Sequence, residues 1–210
     1  MSIKEIPTDL SNTNFDFEDG ALIGAGCKQV IADGITSMLQ AIGDGVDAQG
    51  TADTPKRVAN MYDELLSGYS TDPVELLNGA MFDVEYDEMV VVKDIDFYSL
   101  CEHHLLPFYG KAHVGYLPNN KVIGLSKIPR MVEMFARRLQ VQERMTQEIA
   151  LTLDELIQPA GIGVVVEAQH LCAAMRGVRK PNTTMTTSAV RGQFKKNSST
   201  REEFFSHVRQ

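Results

Sequence analysis

No stretch of the 210 residues approaches the roughly 18 consecutive apolar residues that a membrane-crossing helix needs. The start also lacks a basic segment followed by a short apolar run of the secretory kind. Neither membrane insertion nor export is expected, and the cytoplasm is the expected compartment. Cysteine is scarce: Cys27, Cys101 and Cys172 are odd in number and far apart, a poor disulfide framework that suits a reducing environment. Basic residues are few in the first half, where residues 1–100 carry 19 acids against 5 bases, net −14. Such an acidic half repels a phosphate backbone at long range, which argues against nucleic acid as a partner.

The bases that exist are concentrated elsewhere. Residues 101–170 carry 7 of each sign and residues 171–210 carry 8 bases against 2 acids, net +6. A cationic tail of this kind is either a solvated or subunit-contacting surface or a site for a small anion. Its position, directly after His170-Leu171-Cys172, favours the anion.

At this length one sizeable core with an appendage is expected, not two full domains. Residues 1–20 lack periodicity and read as a flexible arm, residues 21–80 as a helical region, and residues 81–210 as the catalytic domain. In the helical region Val30, Ile31, Ile35, Met38, Leu39 and Ile42 recur at helical spacing before a Gly43-Asp44-Gly45 stop. Cys27 reads there as a packing residue. A second helix opens at Thr54-Pro55 with Thr54 as N-cap and Val58, Met61, Leu65 and Leu66 inward, and a short one follows from Asp72 to Leu77.

After Gly79 the period changes. Met89 to Phe97 and Lys111 to Leu117 read as strands, and a Pro118-Asn119-Asn120 turn leads to a short third piece. Ser126 to Leu139 and Glu143 to Ile157 read as helices, Ile162 to Ala168 and Met185 to Phe194 as strands, and Thr200 to Val208 as a last helix. Two strands, two helices and two strands, with the helices grouped in the middle, predict an α+β fold with an antiparallel sheet.

The chemistry is concentrated in Phe97 to Gly110, where Cys101, Glu102, His103 and His104 stand consecutively inside an apolar run. Four such side chains are costly to bury unless they bind or catalyse something. Cys101-x-x-His104 lets a thiolate and an imidazole converge on one ion, and Cys172 offers a second thiolate from the end of a distant strand. Sulfur and nitrogen ligands favour zinc. The bland alternative is two buried cysteines with incidental histidines. If His170 and Cys172 share one side of a strand, His170 could also close a four-ligand structural site; otherwise His103 and His170 flank an open ion and handle protons.

A second constellation fits an anion. Ser126, Lys127 and Arg130 open a helix, where unpaired N–H groups and the dipole already favour negative charge. Arg176, Arg179 and Lys180 follow Cys172. Ser126 taken alone is an ordinary N-cap. Glu143, with Gln142 before it, begins the next helix and could either stabilise the dipole or accept from a base edge. His113 and His207 read as structural or surface residues.

The segments DEMVVVKDIDFYSLCEHH, KVIGLSKIPR, QVQERMT and HLCAAMRGVRKP strongly resemble GTP cyclohydrolase I, and TPKRVANMY fits the same family upstream. The resemblance implies the tunnelling fold, an antiparallel α+β arrangement with an N-terminal helical extension. It implies a zinc enzyme that converts GTP and water to 7,8-dihydroneopterin triphosphate and formate, assembled as a homodecamer with active sites between subunits. Carried over, Cys101, His104 and Cys172 would be the zinc ligands and His103 and His170 would move protons. Glu143 and Gln142 would hold the guanine edge, and Ser126, Lys127, Arg130 and Arg176, with Arg57 as a weaker candidate, the triphosphate. Two competitors remain: a non-enzymatic module of the same fold with structural zinc, and a nitrile-reducing relative. The second needs a nucleophilic cysteine, and Cys27 alone would be left for that role.

Overall fold

The structure, a computed structural model, describes residues 25–209. The flexible arm expected over residues 1–20 lies outside them. The chain divides into two compact units, residues 1–64 and 65–210.

In the first unit, α1 (Ala25–Ile42) ends in a 3-10 turn at Gly43–Gly45. Asp47 then caps the short α2 (Ala48–Thr51) by accepting from the Gln49 N–H at 3.0 Å, and α3 covers Thr54–Leu65. The Arg57 N–H donates to Asp53 O, so the cap position belongs to Asp53 and Thr54 lies inside the helix, one residue off the sequence expectation. Lys28 Nζ on α1 meets Asp63 Oδ2 on α3 at 2.7 Å. The apolar stripe of α1 is only partly covered: Ile31, Ile35 and Leu39 are half-buried, whereas Val30, Met38 and Ile42 are 67 %, 52 % and 59 % exposed. The period made the helix legible, and among the described residues of this unit nothing buries those last three side chains.

The second unit begins with a 3-10 turn (Ser67–Tyr69) and α4 (Pro73–Leu77), capped by Asp72 through Val74 N–H at 2.7 Å. A two-stranded ladder pairs β1 (Met81–Asp83) with β4 (Lys121–Ile123). The main sheet has the order β5-β2-β3-β6-β7. Its strands are β2 (Val90–Cys101), β3 (Pro107–Leu117), β5 (Leu139–Gln140), β6 (Gly161–His170) and β7 (Met185–Gly192). All neighbours are antiparallel except the short β5 beside β2. Between the strand pairs lie α5 (Lys127–Ala136) and α6 (Gln142–Ile157); α7 (Leu171–Ala174), α8 (Gln193–Lys196) and α9 (Ser198–Arg209) complete the chain. The expected order of two strands, two helices and two strands is therefore present.

Strand alternation divides the core. Ala112, Val114 and Tyr116 of β3 and Ile162, Val164, Val166 and Ala168 of β6 pack with Met131, Phe135, Met145, Ile149 and Leu153 of α5 and α6. Val165 points the other way and packs with Phe194 and Phe204. Gly115 and Gly163 are register partners, and a Cβ on either would come within 2.8 Å of the Phe204 ring, so the paired glycines form the slot in which α9 seats.

Two local expectations change. The α5 helix stops at Ala136, and Leu139 belongs to β5, because pairing with Leu100 captures it for the sheet. Cys172 lies not on a strand but in the helical turn α7, directly after β6 ends at His170.

Candidate active site and metal centre

The hairpin between β2 and β3 carries the Cys-Glu-His-His stretch at its tip. The Cys101 N–H donates to Leu106 O at 2.9 Å and the Leu105 N–H to Cys101 O at 2.8 Å, with Leu105 at φ +53°, which closes a tight loop around Glu102, His103 and His104. A further bond from the Glu102 N–H to Gln140 O, 3.1 Å, ties the loop to β5. Register does the rest. Phe108 pairs with His170 across β3 and β6, so the end of β6 and the turn after it arrive beside the hairpin tip.

The ligand atoms of Cys101, His104 and Cys172 consequently lie within 4.8 Å of one another, and Cys101 Sγ to His104 Nδ1 is 3.8 Å. Ligands at zinc distances of about 2.0 and 2.3 Å in tetrahedral array stand about 3.5–3.8 Å apart, so the three atoms need shift only slightly to share an ion. Two sulfurs and one imidazole fit that ion's chemistry. Burial, and next the neighbouring Cys101, push the Cys172 thiol up from its ordinary value. Bringing two thiolates together therefore calls for a cation.

His103 and His170 stand outside that trio. His103 Nδ1 is 3.9 Å from Cys101 Sγ, its Nε2 is 3.8 Å from Glu102 Oε1, and its side chain is 60 % exposed. Glu102 also receives a short hydrogen bond from Arg144, whose Nε donates to Gln140 Oε1 at 3.2 Å. That bond, before the opposite charges nearby, raises the already high pKa of the guanidinium. His170 is stacked on Phe108 with ring centroids 4.7 Å apart and planes 2° from parallel, and its Nε2 is 2.8 Å from Gln142 Oε1. Burial lowers the His170 pKa, and the exposed Glu143 opposes that from the first turn of α6.

Other sequence-predicted residues form separate groups. Ser126 holds the N-cap position of α5 but makes no side-chain capping bond. Lys127 Nζ donates to Leu76 O at 2.9 Å, tying α5 to α4. Arg130 lines a cavity of about 190 Å³ with Ser67, Thr71, Leu76, Glu133, Met134 and Arg137. Arg176 is exposed four residues beyond Cys172 and slightly lowers the pKa of that thiol. Arg57 lies in the first unit, paired with Asp53 at 3.3 Å. Gln142 departs furthest from expectation: it is fully buried and its amide is spent on protein partners, leaving none for a base edge.

Sequence reading missed the Arg144–Glu102 contact, 42 residues apart in the chain, and the Phe108 platform under His170. No local pattern marks the first. The second could have been suspected from an aromatic residue placed just after the hairpin.

Comparison with known proteins bears on the whole of this unit. The GTP cyclohydrolase I family model matches residues 31–209. The chain belongs to the GTP cyclohydrolase I family. A GTP cyclohydrolase 1 from Campylobacter jejuni subsp. jejuni serotype O:23/36 (strain 81-176) is 58 % identical over 176 residues, covering 84 % of this chain and 93 % of that protein. One from Wolinella succinogenes is 54 % identical over 182 residues, 87 % and 97 % of the two chains. Among solved structures, an archaeosine synthase QueF-like protein in its apo form covers 50 % of this chain and 93 % of its own, with a TM-score of 0.40 at 17 % identity. Membership in the GTP cyclohydrolase I family makes the chain an enzyme of the hydrolase class, as the resemblance implied. Among the described residues no helix is long and apolar enough to cross a membrane.

Proposed function

We propose that the chain opens the imidazole ring of GTP by hydrolysis, releases formate and rearranges the product to 7,8-dihydroneopterin triphosphate. The observation that carries this is the meeting of Cys101, His104 and Cys172 beside His170, at the shared end of the β2–β3 hairpin and β6, in a member of the GTP cyclohydrolase I family. Cys101, His104 and Cys172 would hold zinc in this reading, while His170 is bonded to Gln142 and stands outside that set. Zinc bound there supplies a Lewis acid and a source of hydroxide near neutral pH.

The remaining work falls to the chain's own groups. Ring opening, loss of formate and sugar rearrangement all move protons, and imidazole titrates in the right range, so His170 and the exposed His103 are assigned to them. Glu143, exposed at the start of α6, accepts from the guanine edge. Ser126, Lys127, Arg130 and Arg176 hold the triphosphate, with Arg57 a weaker contributor. Lys127 then has to exchange the Leu76 carbonyl for a phosphate oxygen.

The oligomer belongs to the same proposal. The outer edge of β7, and the edge of β2 away from β3 before Leu100, lack a strand partner among the described residues, and pairing between copies would complete such edges. A homodecamer in the cytoplasm with sites shared between subunits fits these edges.

Incubation of purified protein with GTP tests the activity. Pterin absorbance should appear, vanish with a zinc chelator and return on adding zinc; zinc-loaded protein that forms no pterin refutes it.

A further inference from the structure

Gln142 is the first residue of α6 and is completely buried. Its amide nitrogen lies 3.0 Å from Val166 O, 2.9 Å from Met185 O and 3.2 Å from Thr187 Oγ1. Main-chain carbonyls only accept, so the group facing two of them is NH₂; the flipped amide would set three carbonyl oxygens against one another. The hydroxyls agree. Thr146 donates to Gln142 O at 2.7 Å, which leaves Thr187 to donate to Thr146 Oγ1 at 2.7 Å and to accept from Gln142.

With the amide oriented in this way, Oε1 faces His170 Nε2 at 2.8 Å. An amide oxygen has no proton to give, so the proton of this bond belongs to His170. Phe108, stacked 2° from parallel, fixes the plane of the ring.

We propose that Gln142 is a positioning residue for His170, holding the ring as the Nε2–H tautomer so that Nδ1 is the unprotonated nitrogen offered to the substrate. The orientation of the ring follows from the bonds above. Its use in turnover rests on the function proposed in the preceding subsection. Through its bonds to β6 and β7, Gln142 anchors the imidazole to the sheet interior instead of reading guanine itself. That leaves the base edge to Glu143, its exposed neighbour.

The test uses the full chain, labelled with ¹⁵N-histidine, in magic-angle-spinning NMR at about pH 8.5 with and without zinc. The His170 signals are identified by their loss in His170→Asn. A protonated Nε2 and a bare Nδ1 are expected; the reverse pattern, or an average of both tautomers, overturns the proposal, even if Gln142→Met does not fold. In folded Gln142→Met the single tautomer should be lost and kcat for GTP should fall by about 100-fold or more, with KM changed less than about threefold. Raised KM with unchanged kcat would place Gln142 in guanine recognition and overturn the proposal. Absence of turnover in the unmodified protein would defeat the functional reading and leave the tautomer result standing.

Discussion

Replacing His170 by alanine separates an open metal site from a closed one. The substitution removes a ring stacked on Phe108 and leaves Gln142 Oε1 facing the space where Nε2 stood, 2.8 Å away. Loss of the ring contact costs about 0.5–1.5 kcal/mol. An unpaired buried acceptor costs about 1–3 kcal/mol, less where water enters the vacated volume. The total, about 1.5–4.5 kcal/mol, corresponds to a melting point lowered by about 3–18 °C for a chain of this size. Because His170 is bonded to Gln142 and stands outside the ligand trio, zinc content measured by mass spectrometry should stay near that of the parent. Turnover of GTP, followed by pterin absorbance, should drop by about 10²–10⁴-fold, the usual worth of a positioned proton-transfer group. Loss of zinc in step with activity would refute the reasoning, because His170 would then be a fourth ligand and the site a closed one.

Cys172→Ala should give the opposite pattern: zinc affinity lowered by well over tenfold in chelator competition, with activity lost in proportion to zinc. Gly110→Ala should be severe, because the added Cβ would sit 1.9 Å from Glu167 O on the paired strand. Parting β3 from β6 there should cost about 3 kcal/mol or more, read from the denaturant midpoint; an unchanged midpoint would count against the register. His113 should make stability pH-dependent. It is buried, its Nδ1 accepts from the Asp94 N–H at 3.2 Å, its Nε2 has no partner among the described residues, and burial, more than any neighbouring charge, lowers its pKa below the ordinary 6.5. The unfolded chain then binds the proton more readily, so this stability is present above the unfolded pKa and is lost as pH falls through 6.5 towards the lowered value. His113→Leu should flatten that part of the profile in denaturation at pH 7.5 and 5.5, while the parallel contribution of His170 stays.

Legibility followed the range of the interactions. The α6 helix could be read because Met145, Ile149 and Leu153 repeat within one segment, and all three are buried. The metal trio was legible because Cys101 and His104 are three residues apart and Cys172 repeats the same chemistry at a strand end. The α1 stripe was legible as a helix, but period reports a face and says nothing of what covers it. Gln142, expected beside Glu143 at the guanine edge, carries no local sign that β6 and β7 close over it.

The sequence by itself determined the kinds and order of the elements, the family and the set of groups able to bind a metal, all of which reside in short runs of residues. Only the tertiary structure decided that Phe108 stands opposite His170, that Gly115 and Gly163 open a slot for Phe204, and that Gln142 turns inward to His170. Those facts depend on strand register and on the packing of side chains roughly 30 to 90 residues apart. A slip of one residue in β3 or β6 would turn that strand's side chains to the opposite face of the sheet without altering any local pattern.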